Sequence, residues 1–213
     1  MDDSHKSDVM DLRRSQLLQA AHRVVSTKGS SKLTIKDVAR EANFSNGLIH
    51  YYFKNKEDLL LALFKETQGR LQKAFTEALA ESDDPRDKLL VFLEHAFGLR
   101  ENARDHLYVL FDFLSQAKHN ERIRNLKRKL YQNFRGECAA ILYEGMAKGL
   151  FHPVDVEYAS TKIIAQIHGL MVEYEIDEAA FDYHEYSRRL TREITGQLFL
   201  VDAARPLEQA GSM

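Results

Sequence analysis

Apolar residues recur along most of this chain at the three- and four-residue steps of helices that bury one face. Leu17, Ala21, Val24 and Val25 mark the first helix, read from Leu12. Lys28-Gly29-Ser30 closes it, with Gly29 at the position after a helix end where left-handed backbone is common. Residues 1–11 have no periodicity and read as a flexible polar tail. Thr34-Ile35-Lys36-Asp37 forms a capping box: Thr34 accepts from the amide three residues on, and Asp37 reaches back. The helix it opens is short, ending near Glu41 or Ala42, and Ser45 caps a second short helix through Phe53. Asn55, with Asp58 three residues later, starts a long helix striped by Leu59, Leu60, Leu63, Phe64, Thr67, Leu71, Ala74, Phe75 and Ala78.

Asp84-Pro85-Arg86-Asp87 is the clearest helix start, with Asp at the cap and Pro in the first turn, and it leads into Leu89, Leu90, Leu93 and Phe97. Further stripes predict helices over 103–118 (Leu107, Leu110, Phe111, Leu114), 121–148 (Ile123 to Leu142, stopping at Gly149) and 154–175 (Ala159 to Leu170). A last helix carries Tyr186, Leu190, Ile194 and Leu198, ahead of a polar tail over 203–213. The predicted fold class is all-α with about nine helices, since no stretch alternates with period two for long enough to be a strand.

Composition narrows this picture. Ten Gly and three Pro in 213 residues are too few turn residues for a many-stranded β fold, and 44% hydrophobic residues exclude wholesale disorder. The single Cys138 has no partner for an internal disulfide, and MDDSHKSD is not a basic-then-apolar leader. The most apolar run, Ile163–Val172, contains Gln166 and His168 and is half of the roughly 20 residues a membrane span needs. A reducing, cytoplasmic location without membrane attachment is expected.

The net charge of −2 hides an uneven distribution. From Leu12 to Lys56 nine basic residues face two acidic ones, which leaves the rest of the chain strongly acidic. A basic segment on an acidic body points to a polyanionic partner, against the plainer reading of a helical surface that happens to be basic. That segment holds two short capped helices joined by a tight turn, the pattern of a helix-turn-helix. Its first helix buries Ile35, Val38 and Ala39, and its second buries Leu48, Ile49 and Tyr52 or Phe53. Asn43 is one of the few non-glycine residues that tolerates the positive φ of such a turn. The amides opening the second helix favour a phosphate beside Ser45, with Tyr51, Lys54 and Lys56 just beyond to grip the backbone.

Thr34-Ile35-x-Asp37-Val38-Ala39-x-x-Ala42, followed by Phe44-Ser45-x-Gly47-x-Ile49-x-x-Tyr52-Phe53-x-x-Lys56-Glu57-x-Leu59-Leu60, resembles the DNA-binding signature of the TetR/AcrR family of transcriptional regulators. The match covers Leu12–Leu61 almost without gaps, departing where Asn43 replaces the usual turn glycine. The later part, through Phe111–Leu114 and Ile163–Glu175, looks like the betaine-inhibitor-type subgroup. The resemblance implies a three-helix DNA-binding domain over 12–56 and an effector-binding and dimerisation domain over 57–202. It implies DNA contacts from Thr34, Lys36, Ser45, Asn46, Gly47, Leu48, His50, Tyr51, Lys54 and Lys56. Among these, Asn46 suits adenine and Leu48 a thymine methyl. Leu48 also reads as core, His50 as merely solvated, and the neighbouring Tyr52 as core.

The effector pocket implied by the resemblance would draw on Phe97, Tyr108, Phe111, Leu114, Phe134, His168 and Met171, suited to a small, partly apolar ligand. Short motifs that each read one half-site require a homodimer. The last two helices offer its interface through Ala159, Ile163, Ile167, Leu170, Leu190, Ile194 and Leu198. Ligand-responsive repression, by release of a dimer from a pseudo-palindromic operator, is the expected function. The competing class is an all-α ligand-binding or enzymatic protein with an incidental basic segment. No glycine-rich phosphate loop, nucleophile elbow or paired-acid motif supports an enzyme or a cofactor. His95, His106, His119 and His168 lack metal-ligand spacing, Cys138 reads as a buried apolar residue, and Lys127-Arg128-Lys129 as a solvated helix face.

Overall fold

The computed structural model describes residues 2–102, 109 and 120–200. Among them are eight helices: α1 (Asp2–Lys28), α2 (Ile35–Ala42), α3 (Asn46–Tyr52), α4 (Lys56–Leu79), α5 (Pro85–Asn102), α6 (Glu121–Ala147), α7 (Val156–Ile176) and α8 (Tyr183–Leu198). The only pairing of extended chain among these residues is an isolated antiparallel bridge between Phe151 and Phe199. The helix expected over 103–118, with Tyr108, Phe111 and Leu114, and the tail over 203–213 lie outside the described residues.

One expectation is corrected at the start of the chain. Residues 2–11, read as a flexible tail, belong to α1. Residues 8–14 are exposed on every side of the helix, and a helix solvated all round carries no apolar stripe for periodicity to detect. The other end of α1 is as expected, with Gly29 at φ 78° and its amide donating to the Val25 carbonyl at 2.8 Å.

The chain divides into two compact units whose boundary lies inside helices, and it does not coincide with the change in charge near residue 56. The first comprises α1 to α3, α4 as far as Ala74, the end of α5 from Leu99 and α6 as far as Arg128. Its core includes Leu17, Leu18, Val24, Leu33, Val38, Ile49, Phe53, Leu59, Leu60 and Phe64. Because α4 buries Leu61 and Leu63 as well as Leu59 and Leu60, its first turns are part of this core. An Arg122 to Asp58 ion pair at 3.0 Å also ties the start of α6 to the start of α4.

The second unit comprises α4 from Phe75, α5 to Gly98, and the chain from Lys129 onward. Pro85 opens α5 after Asp84, whose carboxylate accepts from the Arg86 amide at 2.8 Å and pairs with the Arg86 guanidinium. The carboxylate of Asp155 caps α7 by accepting from the Tyr158 amide, and that of Asp182 caps α8 by accepting from the Glu185 amide. Behind α6, Gly149 adopts φ 67° and turns the chain back on itself. Phe151 then stacks on Phe199 at 5.2 Å, and a Cβ at position 145 would overlap the Phe151 ring, so Gly145 is fixed by close packing. Lys88 and Lys148 both reach Glu144, at 2.9 and 2.7 Å, and hold its carboxyl below its ordinary pKa.

Candidate nucleic-acid interface

The first unit builds its recognition surface on a network centred on Asp37. Thr34 stands before α2 in extended backbone; its hydroxyl accepts from the Asp37 amide at 3.1 Å and donates to the Asp37 carboxylate at 2.7 Å. The same carboxylate takes Lys28 of α1 at 2.7 Å and Arg40 of α2 at 2.8 Å. Hydrogen bonds from Lys28 first, then from the Thr34 hydroxyl, lower the Asp37 pKa from 3.8 to about 2. Arg23 to Glu41 at 2.6 Å is a second tie between α1 and α2.

Asn43 makes the turn at φ 55° and ψ 43°, the one non-glycine residue with positive φ among those described. Its amide donates to the Arg40 carbonyl at 3.2 Å, and the next amide, of Phe44, to Ala39 at 2.9 Å. The Ser45 hydroxyl then caps α3 by accepting from the Leu48 amide at 3.2 Å. Ile49 and Phe53 are buried and anchor this short helix, while Leu48 and Tyr52 are half-buried.

Thr34, Lys36, Ser45, Asn46, Gly47, His50, Tyr51 and Lys54 are exposed together around α3 and the start of α2. Tyr51 is 66% exposed and meets the Tyr52 ring edge-on at 5.1 Å. A Cβ at Gly47 would meet only the Ser45 hydroxyl, at 3.9 Å, so internal packing does not demand this glycine, and its bareness leaves backbone open to approach. Lys56 differs from the rest: it is half-buried and its ammonium donates to the Ser31 carbonyl at 2.7 Å. Amide, imidazole, phenol and ammonium groups on one short helix and its flanks can take both phosphates and base edges.

The remaining expectations concern the second unit. Phe97 and Met171 are buried in it, with the Phe97 carbonyl accepting from the Tyr183 hydroxyl at 3.1 Å. Phe134 and His168 are half-buried, and His168 meets Tyr131 edge-on at 4.9 Å. Burial lowers the His168 pKa and raises that of Tyr131, so both rings are uncharged at neutral pH. Among the dimer candidates, Ile163, Ile167, Ile194 and Leu198 are corrected: each is at most 5% exposed and belongs to the unit's own core. Ala159, Leu170 and Leu190 are half-buried.

The exposed apolar positions of α7 fall on another stripe. Tyr158, Lys162, Ala165, Gly169, Val172 and Ile176 follow one another at alternating four- and three-residue steps, and all six are exposed. On α8, Tyr186, Arg189, Glu193 and Gly196 do the same, and Lys162 reaches across to Gln197 at 3.3 Å. Periodicity had marked a stripe on each helix without distinguishing the inward one. Elsewhere, Cys138 is fully buried, which pushes its thiol up to about 12. Among the described residues no His, Cys, Asp and Glu side chains gather as a metal site, and no helix is long and apolar enough to cross a membrane.

A capped helix pair with an asparagine turn, a buried inner face and a polar, cationic outer face defines a helix-turn-helix DNA-binding protein. Two family models match the chain: that of the bacterial regulatory proteins of the tetR family over residues 17–63, and that of the BetI-type transcriptional repressor C-terminal domain over residues 85–198. The HTH-type transcriptional regulator BetI of Rhizobium meliloti is 30% identical over 155 residues, covering 69% of this chain and 76% of that protein. The crystal structure of a transcriptional regulator from Saccharomonospora viridis in complex with choline aligns with TM-score 0.81 at 23% identity, over 88% of this chain and 98% of the other. The regulator FadR from Bacillus subtilis, in complex with stearoyl-CoA, aligns with TM-score 0.70 at 23% identity, over 86% and 98%. The chain belongs to the TetR family of DNA-binding transcriptional regulators, with a C-terminal domain of the BetI repressor type.

Proposed function

We propose that two copies of this chain bind a pseudo-palindromic operator as a cytoplasmic homodimer, repress transcription there, and leave it when a small molecule binds the C-terminal region. The observation that carries the DNA reading is the exposed set around α3 on a frame locked by the Asp37 network. Within it, Asn46 pairs with a base edge and Leu48 touches a thymine methyl. Thr34, Lys36, Ser45, Tyr51, Lys54 and Lys56 hold phosphates, and Gly47 lets the backbone approach. His50 lies between the two groups and contacts either a base or the backbone. Two such helices about 34 Å apart read successive major grooves on one side of the duplex.

The dimer face proposed is the exposed stripe on α7 with its counterpart on α8, not the buried isoleucines. Gly169 and Gly196 support it. A Cβ at either would meet nothing within 4 Å, so neither glycine serves packing within the protomer. Each costs about 1 kcal/mol of helix propensity relative to Ala, a cost that close approach of a second copy explains.

For the effector, the choline bound by the Saccharomonospora viridis regulator that aligns with this chain favours a small quaternary ammonium compound, and choline is the probe. The uncharged Tyr131 and His168 rings suit a cation better than a charged imidazole would. Ligand and operator then oppose each other to the same degree, because each favours a different conformer.

The test is selection of the purified protein on a random duplex pool, followed by titration of the winning sequence at several salt concentrations. A palindrome with half-sites about ten base pairs or slightly more apart, bound with a steep negative salt slope, is expected. Sequence-blind binding, both alone and with choline or stearoyl-CoA, overturns the reading. Choline that releases the operator assigns the effector class, whereas release by stearoyl-CoA alone replaces it with an acyl thioester.

A further inference from the structure

The cations of the first unit differ in what already holds them. Arg23 is committed to Glu41, and Lys28 and Arg40 to Asp37. Lys56 gives a hydrogen bond to the Ser31 carbonyl. Arg14 of α1 is held in another way: its guanidinium carbon lies 5.6 Å from the centre of the Phe53 ring, and the side chain is exposed. It forms no ion pair with a carboxylate among the described residues.

Phe53 is itself 2% exposed and follows directly on α3. Lys54 comes next, and the exposed Tyr51 stands two residues before. The guanidinium is therefore held beside the end of α3 that also carries Tyr51 and Lys54. A guanidinium held over a ring by a cation–π contact spends no hydrogen bond on it, so its N–H donors stay available to an anion. No hydrogen bond or ion pair among the described residues uses these donors, and a phosphate diester is an anion that a guanidinium matches.

We propose that Arg14 is a phosphate-binding residue of the DNA interface, supplied by α1 and oriented by the Phe53 ring. The proposal rests on the reading of α3 as the DNA-recognition helix. It adds a residue that lies before the segment matched by the family model, which begins at residue 17. Asp8 and Asp11, exposed on α1, oppose an anion, so the expected contribution is that of one phosphate contact. Arg13 is the internal control, a neighbouring exposed arginine with the same charge and no ring beneath it.

The experiment titrates the selected operator and a random duplex against wild type, Arg14→Ala, Arg14→Lys and Arg13→Ala over a range of salt. Thermal melting confirms that each variant is folded. Arg14→Ala is expected to lower the slope of log affinity against log salt by about one and to weaken binding roughly tenfold at 0.1 M salt, equally on both duplexes. Arg14→Lys recovers only part of that loss, because an ammonium is not oriented by the ring, and Arg13→Ala changes the slope by much less. An unchanged slope for Arg14→Ala, an equal loss for Arg13→Ala, or full recovery by Arg14→Lys overturns the proposal. So does a loss confined to the operator. A wild-type protein that selects no sequence overturns the reading of α3 instead, and the two failures are distinct.

Discussion

Asp37 links acid stability to the DNA-reading frame at the scale of a single residue. It joins α1 to α2 through Lys28, and its hydroxyl partner Thr34 caps α2. A carboxyl whose pKa falls on folding stabilises the folded state above its ordinary pKa, and that contribution disappears as pH falls toward the folded value. With 3.8 lowered to about 2, the loss is expected between about pH 4 and pH 2. Asp37→Asn should melt lower than wild type at neutral pH and show a shallower decline across that window, in thermal melts at closely spaced pH. A decline as steep as that of wild type would mean that other carboxylates govern the acid limb. The DNA roles proposed for Lys56 and Asn46 differ in a measurable way. Lys56→Ala should weaken all duplexes alike and lower the salt slope by about one, whereas Asn46→Ala should relax preference at a single base position. Equal losses on operator and random duplex for Asn46→Ala would remove its reading role. The Thr34 and Ser45 caps were legible from sequence because their partners lie three residues away. The pairs Arg23 to Glu41 and Lys28 to Asp37 were not, since they depend on how α1 packs on α2.

Asn43 shows how an element boundary is written in one residue. Its φ of 55° is a conformation that glycine adopts freely, that asparagine tolerates and that most side chains resist. Asn43→Gly should therefore leave the melting temperature nearly unchanged, and Asn43→Ala should cost about 1 kcal/mol by denaturant unfolding. An alanine variant as stable as wild type would show that the turn relaxes out of the left-handed region. Helix ends were the most legible feature of this chain, with Gly29, Asn43, Pro85 and Gly149 each placed as the sequence predicts. Helix faces were less so. α7 carries apolar residues on its buried side, Ile163, Ile164, Ile167 and Met171, and on its exposed side, Tyr158, Val172 and Ile176. A helix apolar on two sides has a weak amphipathic signal, and spacing cannot tell which side turns inward. Residues 8–14 of α1 are the opposite case, since all of them are exposed and no side of that stretch turns inward.

At the scale of the whole molecule, the proposed homodimer makes operator affinity depend on two DNA-reading units acting together. Binding the second half-site of a tethered pair is intramolecular, and avidity of this kind is worth about 10²- to 10⁴-fold. Breaking the dimer should therefore cost operator affinity without touching any DNA contact. Val172 belongs to the exposed stripe, one step after Gly169, and is 40% accessible in the protomer, so a charge there is solvated when the protein is alone and buried only against a second copy. Val172→Glu should retain its helical circular dichroism and melt as a folded protein, yet sediment as a monomer at concentrations where wild type is a dimer. Its affinity for the full palindrome should fall to about that for a single half-site, with the base preference within that half-site intact. A Val172→Glu protein that still sediments as a dimer would move the interface off this stripe. A monomer that keeps full operator affinity would separate DNA recognition from dimerisation altogether. The expected pair of results, lost assembly with preserved half-site preference, is one that neither a folding defect nor a damaged reading helix can produce.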